Sequence, residues 1–196
     1  MVNFEKALIH DLKANYFERN VELYIVDSIT RDLKKCEDEV FVNNYTVDYS
    51  QISSVFESVS EKLEERYCNV MENGIDILEN EPLIMMIINS IDAINYISET
   101  KEILSIYNAI MSKYKAMKVM IIFGNIEDAP IGYSSSDILK KIKECKNAMI
   151  FSNVSEHKVY DIPISFIKQN KRAIDDYQAY YLKEDEIVKV RFSKEE

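Results

Sequence analysis

Pro82-Leu-Ile-Met-Met-Ile-Ile-Asn-Ser-Ile-Asp92 holds an unbroken apolar run, Leu83 to Ile88, that stops at the short polar residues Asn89 and Ser90. The run does not alternate polar with apolar residues, so it does not fit a strand with one wet face. It fits a strand covered on both faces, as in a parallel sheet whose crossover helices pack above and below. Its polar residues then fall at the carboxyl end, where open α/β sheets place their ligand chemistry. Asn89, Ser90 and, two positions on, Asp92 are therefore candidate site residues.

Outward from this stretch, Val21-Glu-Leu-Tyr-Ile-Val26 reads as a strand closed by Asp27 and Ser28, and Val119-Met-Ile-Ile-Phe123 as another closed by Gly124-Asn125. Asp27, Ser28 and Asn125 join the candidates, because parallel strands bring their carboxyl ends to one rim. Against a functional role stands a plain one: the same residue types cap helices and satisfy orphan backbone groups at strand ends.

Helical patterns lie between the strands. Asp48 can cap a helix running to about Met71, with Ile52, Val55, Phe56, Val59, Leu63, Tyr67 and Val70 on one face and Glu57, Glu61, Lys62, Glu64, Glu65 and Arg66 on the other. Asn73-Gly74 supplies its end. A second helix is expected from Ser98, with Ile103, Ile106, Tyr107, Ile110, Tyr114 and Met117 turned inward. Further elements are expected as follows: a helix from Asn3 to Asn15, a short turn around Leu33, an edge strand from Val40 to Tyr45, and a turn at Ala129-Pro130-Ile131-Gly132. A short helix from Ser136 or Asp137 through Ile142 precedes a strand from Ala148 to Phe151, and a helix from Ile164 to Ala173 precedes a terminal hairpin of Gln178–Leu182 with Ile187–Phe192. Strand, helix, strand, helix, strand is the order of right-handed βαβ crossovers, which predicts an α/β fold with a mainly parallel sheet.

Composition narrows the function. A chain of 196 residues is expected to form one domain, residues 1–196, large enough to bury a core without staples. Its net charge of −10 excludes a non-specific nucleic-acid surface, and Lys140-Lys141-Ile142-Lys143 and Lys168-Gln169-Asn170-Lys171-Arg172 are short enough to be solvated helix faces. Cys36, Cys68 and Cys145 have no ligand spacing and argue for a reducing compartment. No apolar run reaches the roughly 18 residues of a membrane span, and the amino terminus lacks the layout of a signal peptide, so the reading is a soluble, intracellular chain without direct membrane contact. Three glycines, at 74, 124 and 132, are too few for a P-loop or a dinucleotide fingerprint, both of which bring backbone N–H groups against phosphate. His10 and His157 have no triad or zinc spacing, and acid pairs such as Asp175-Asp176 and Glu64-Glu65 read as solvated charge. No catalytic residue, metal or cofactor is expected, and ATP with Mg²⁺ is not expected to bind.

The series of segments resembles the C-terminal, third ATPase-like module of the FtsK/SpoIIIE-type coupling proteins of type VIIb secretion systems, over nearly the whole chain. Phe4 to Asn15 resembles the helix after the P-loop, Val21 to Ser28 the next strand, Leu83 to Asp92 the Walker B strand, Lys118 to Gly124 the strand after it, and Tyr177 to Phe192 the closing hairpin. The resemblance implies a RecA-like three-layer αβα sandwich, a mainly parallel sheet with a C-terminal β-hairpin, set among several such modules behind a membrane anchor. It also implies that the P-loop strand and loop would lie before Met1, so that the chain begins inside a longer protein. The acidic Walker B pair of active modules is Asn89 and Ser90 here, with Asp92 retained. An Asn carbonyl ligates without charge, and Ser90 is no carboxylate base.

Two functions follow from the resemblance. One is a degenerate, nucleotide-free ATPase-like module on the cytoplasmic side of a membrane-anchored secretion protein. Its partners would be secreted type VII substrates and the neighbouring ATPase modules, and its work substrate recognition or regulation. The alternative is a competent ATPase module whose P-loop lies upstream. Secreted substrates of this kind are typically helical, which suggests a helix-in-groove contact with tyrosines as anchors.

Overall fold

A computed structural model describes residues 8–9, 12–13, 20–126, 137–145, 147–151, 154, 160, 162–170, 174–175, 178–184 and 186–191. The chain divides into two compact units, Met1–Asn125 and Ile126–Glu196.

The first unit is built on four parallel strands, β1 (Val21–Val26), β2 (Val42–Thr46), β3 (Leu83–Ile88) and β4 (Val119–Phe123), in the order β2-β1-β3-β4. The two most fully buried strands, β1 and β3, take the interior of the sheet, as expected where both faces are covered. On one face Leu23, Ile25, Met85 and Ile87 form a core with Ile9 and Leu12, which are helical, and with Leu33, Cys36 and Phe41 from the β1–β2 connection. That connection contains a single 3-10 turn, Lys34–Cys36, at the turn expected around Leu33. Strand alternation sends Tyr24, Val26, Met86 and Ile88 to the other face. There α1 (Ile52–Asn73) brings the Lys62 ammonium 5.9 Å from the Tyr24 ring centroid, and α3 (Lys101–Ser112) sets Tyr107 edge-on to Phe123 at 6.2 Å.

Local sequence explains the helix ends, with three corrections. Asp48 does not cap α1 itself: it accepts a bond from the Ser50 N–H at 2.9 Å and caps a 3-10 turn, Tyr49–Gln51, that leads into the helix. At the far end Gly74 has φ 90° and donates its N–H to the Val70 carbonyl, a conformation that favours glycine. Arg66, expected on the wet face, is buried. It donates to the Met117 carbonyl at 3.2 Å and pairs with Glu81 at 3.1 Å, so its charge is compensated where α1 crosses the amino-terminal ends of β3 and β4. Finally, Ser98 starts no helix. It lies within α2 (Ile91–Glu99), its hydroxyl donating to the Ile94 carbonyl, and the break before α3 falls at Thr100 in an extended conformation.

The second unit holds α4 (Asp137–Glu144), β5 (Asn147–Ile150), α5 (Ile164–Gln169), β6 (Gln178–Lys183) and β7 (Glu186–Arg191). The expected hairpin is present, β6 pairing antiparallel with β7. The short strand expected near Ala148 is β5, which pairs antiparallel with β6, giving the order β5-β6-β7. Its single deeply buried residue, Ile150, packs with Val154 and Tyr180, and Phe166 meets the Tyr180 ring edge-on at 5.5 Å. The Tyr160 hydroxyl donates to the Ile142 carbonyl, and burial pushes its pKa up to about 12. The expected turn at Ala129–Gly132, most of the helix from Asn3 to Asn15, His10, His157 and Asp176 lie outside the described residues. Among the described residues no helix is long and apolar enough to cross a membrane.

Candidate functional site

Register brings the polar strand ends together. Val26, Ile88 and Phe123 lie side by side, so the residues that follow them emerge on one rim. The ladder continues one residue further: Asp27 N–H donates to Thr46, Asn89 N–H to Val26 and Gly124 N–H to Ile88, at 2.8 to 2.9 Å.

Asp27 is the centre of the rim and is wholly inaccessible to solvent (0%). Its Oδ1 accepts from the Ser28 N–H at 2.8 Å and from Asn89 Nδ2 at 2.9 Å, and its Oδ2 accepts from the Leu33 N–H and the Tyr45 hydroxyl, both at 2.8 Å. An ionised carboxylate offers about four lone-pair sites, and these four donors use them. The Tyr45 phenol is held well above its ordinary pKa, first by burial and then by the bond to Asp27, so it stays a donor at neutral pH.

Asn89, also at 0% exposure, passes the polarity on. A carboxylate cannot donate, so the Asn89 amide must turn Nδ2 toward Asp27. Its Oδ1 then faces away and needs a donor, which Asn125 Nδ2 provides at 2.7 Å. Asn125 sits at φ 52°, in the left-handed region that asparagine tolerates better than most residues.

Ser90 is the N-cap of α2, accepting from the Ala93 N–H at 3.3 Å with its hydroxyl 3.3 Å from that of Tyr49; the Tyr49 ring packs against Tyr96 at 5.9 Å. Ser28 turns outward, 2.6 Å from the Thr30 hydroxyl and 3.3 Å from Asp32. Asp92 stands exposed in the first turn of α2, where a negative charge favours the helix dipole, and takes no part in the network.

Five of the six sequence candidates, Asp27, Ser28, Asn89, Ser90 and Asn125, thus share one rim. The sequence reading missed Tyr45, which donates to Asp27 from β2, and Tyr49, whose hydroxyl meets that of Ser90 from the turn after β2. The signal for Tyr45 was its place in a strand parallel to β1, obscured by Asn43 and Asn44. Chemically, the arrangement is a hydrogen-bond chain in which all four sites of the Asp27 carboxylate are taken and each polar atom of the Asn89 amide has a protein partner. Among the described residues no group of three or more His, Cys, Asp or Glu could hold a metal ion.

No protein-family model matches the sequence, and neither does any curated protein. Solved structures match by fold. The cytoplasmic domain of EssC superposes with a TM-score of 0.69 at 16% identity, over 96% of this chain and 36% of that one. The cytoplasmic domain of the Thermomonospora curvata type VII secretion ATPase EccC gives 0.69 at 10% identity, over 100% of this chain and 22% of that one. ATPases 2 and 3 of Thermomonospora curvata EccC, in complex with a signal sequence peptide, give 0.69 at 9% identity, over 100% of this chain and 35% of that one. The chain therefore has the α/β fold of these ATPase domains and spans about a fifth to a third of the solved chains it matches.

Proposed function

We propose that this chain is an ATPase-fold module of a type VII secretion coupling protein that works by binding rather than by hydrolysis. Its partners would be the signal segments of secreted substrates and the neighbouring ATPase modules, on the cytoplasmic side of a membrane-anchored assembly. The fold likeness to EssC and EccC supports the setting, and the complex of EccC ATPases 2 and 3 with a signal sequence peptide supports the kind of partner. The observation that carries the loss of chemistry is the commitment of Asn89 and Asp27 to each other and to Asn125, Tyr45 and two backbone amides. At the position where the resemblance calls for an acid that assists Mg²⁺, the chain carries a neutral amide with both polar atoms engaged.

Isothermal titration with Mg-ATP tests this reading. The expected result is no saturable heat up to about 1 mM nucleotide, weaker than about −4 kcal/mol of binding. One-to-one binding in the micromolar range would overturn it. A parallel titration with synthetic signal-segment peptides of candidate substrates is expected to give saturable binding.

A further inference from the structure

We propose that Asp27, Asn89 and Asn125 form a conformational coupling device, in which the turn after β4 and the loop at residues 28–33 after β1 are held as one unit through the Asn89 side chain. β4 is not a neighbour of β1 in the sheet, since β3 lies between them. The path between the two surface segments runs through buried polar atoms instead.

At one end a single carboxylate clips both ends of a loop. Oδ1 of Asp27 holds the Ser28 N–H and Oδ2 holds the Leu33 N–H. Between those anchors lie the exposed Ile29, the left-handed Arg31 (φ 56°), and the Ser28–Thr30–Asp32 hydrogen bonds. At the other end Asn125 shapes the turn that leaves β4. The Asn89 amide joins the two because it has one donor side and one acceptor side. If Asn125 lets go of Oδ1, the amide loses the partner that fixes its plane, and its donation to Asp27 Oδ1 loosens. Oδ1 is the atom that also anchors Ser28. Hydrogen bonds in a low-dielectric interior polarise one another, so loosening at one end is felt along the chain. The device works whether or not the module binds nucleotide, so it does not rest on the function proposed above.

Amide hydrogen exchange in the full chain reads this directly. The variant Asn125→Gly keeps the left-handed backbone without strain and removes the side chain that donates to Asn89. Exchange at Ser28 and Leu33, taken relative to Met86 in the middle of β3, is expected to rise about five-fold, the worth of one net hydrogen bond. Asn89→Ala is expected to raise it at least as much, and the double variant Asn89→Ala with Asn125→Gly no further than Asn89→Ala alone. Should Asn89→Ala fail to fold, Asn89→Ser replaces it in the same cycle. Unchanged exchange at Ser28 and Leu33 in Asn125→Gly would overturn the proposal, and so would effects that multiply in the double variant.

Discussion

Asn89 occupies a position where one atom decides the chemistry. Replacing its Nδ2 by an oxygen, as in Asn89→Asp, sets a second acceptor 2.9 Å from Asp27 Oδ1, in a place without solvent. Two carboxylates at that distance cannot both ionise, so the pair must retain a proton and its pKa rises. A pKa raised by folding gives stability that is present at low pH and lost as pH climbs through the raised value. The variant is therefore expected to lose about 2–4 kcal/mol relative to wild type at pH 7, from the lost charge-assisted bond and the repulsion, and to recover most of that deficit below the carboxylate range. Urea unfolding of both proteins at pH 7 and pH 4 measures it; an equal deficit at both pH values would contradict the geometry. Tyr45→Phe removes one donor from the same buried carboxylate and is expected to cost about 1.5–3 kcal/mol by the same measurement. The sequence disclosed the rim residues themselves, because polar residues after apolar strands are a local signal. It could not disclose which way the Asn89 amide points, because that depends on Asp27 and Asn125, 62 and 36 residues away.

Elements were legible where their periodicity was self-contained. The α1 stripe, the apolar β1, β3 and β4 runs and the β6–β7 hairpin each announce themselves within a few residues. α2 did not, since Ile91, Ala93, Ile94 and Ile97 prolong the apolar run of β3 and hide the change of period at Ser90. That residue makes the change possible: as N-cap its hydroxyl satisfies a first-turn amide, so Ser90→Ala is expected to cost about 1 kcal/mol, measurable by chemical denaturation. Gly74 marks the other end of α1 with nothing within 4 Å of an added Cβ, so the cost of Gly74→Ala is conformational alone, about 1–3 kcal/mol. α1 and α3 are bracketed by Lys113, which bonds Glu64 at 2.6 Å and lies 4.7 Å from the Tyr67 ring centroid and 4.8 Å from that of Tyr114. Hydrogen bonds from Lys113 and from the Tyr114 hydroxyl hold the Glu64 carboxyl below its ordinary pKa. A depressed pKa gives stability that is present above the unfolded carboxylate value and lost as pH falls through the folded one. Glu64→Gln is expected to flatten the acid side of the stability profile, read as Tm against pH.

For the molecule as a whole, the net charge of −10 sets expectations independent of any site. Self-repulsion opposes the compact state, so raising salt from about 0.01 M to about 0.15 M, which shortens the screening length from about 30 Å to about 8 Å, is expected to raise Tm. Gel-shift assays with duplex DNA at that salt are expected to show no complex. The parallel sheet was legible from the order of segments. The assignment of β5 to an antiparallel sheet was not, because a four-residue strand carries too little pattern to name its partner. The strand-end network has a last consequence, in the language of sequence change. Its polarity is directional, from an acceptor-only Asp27 through a two-sided Asn89 to the donor group of Asn125. Reversing one member leaves two like groups facing each other in the dry interior. Exchanging Asp27 and Asn89 fails as well, since an amide oxygen at 27 could not receive all that the carboxylate now receives. Placing an acid at position 89 of this rim therefore costs stability unless its hydrogen-bonding partners change with it.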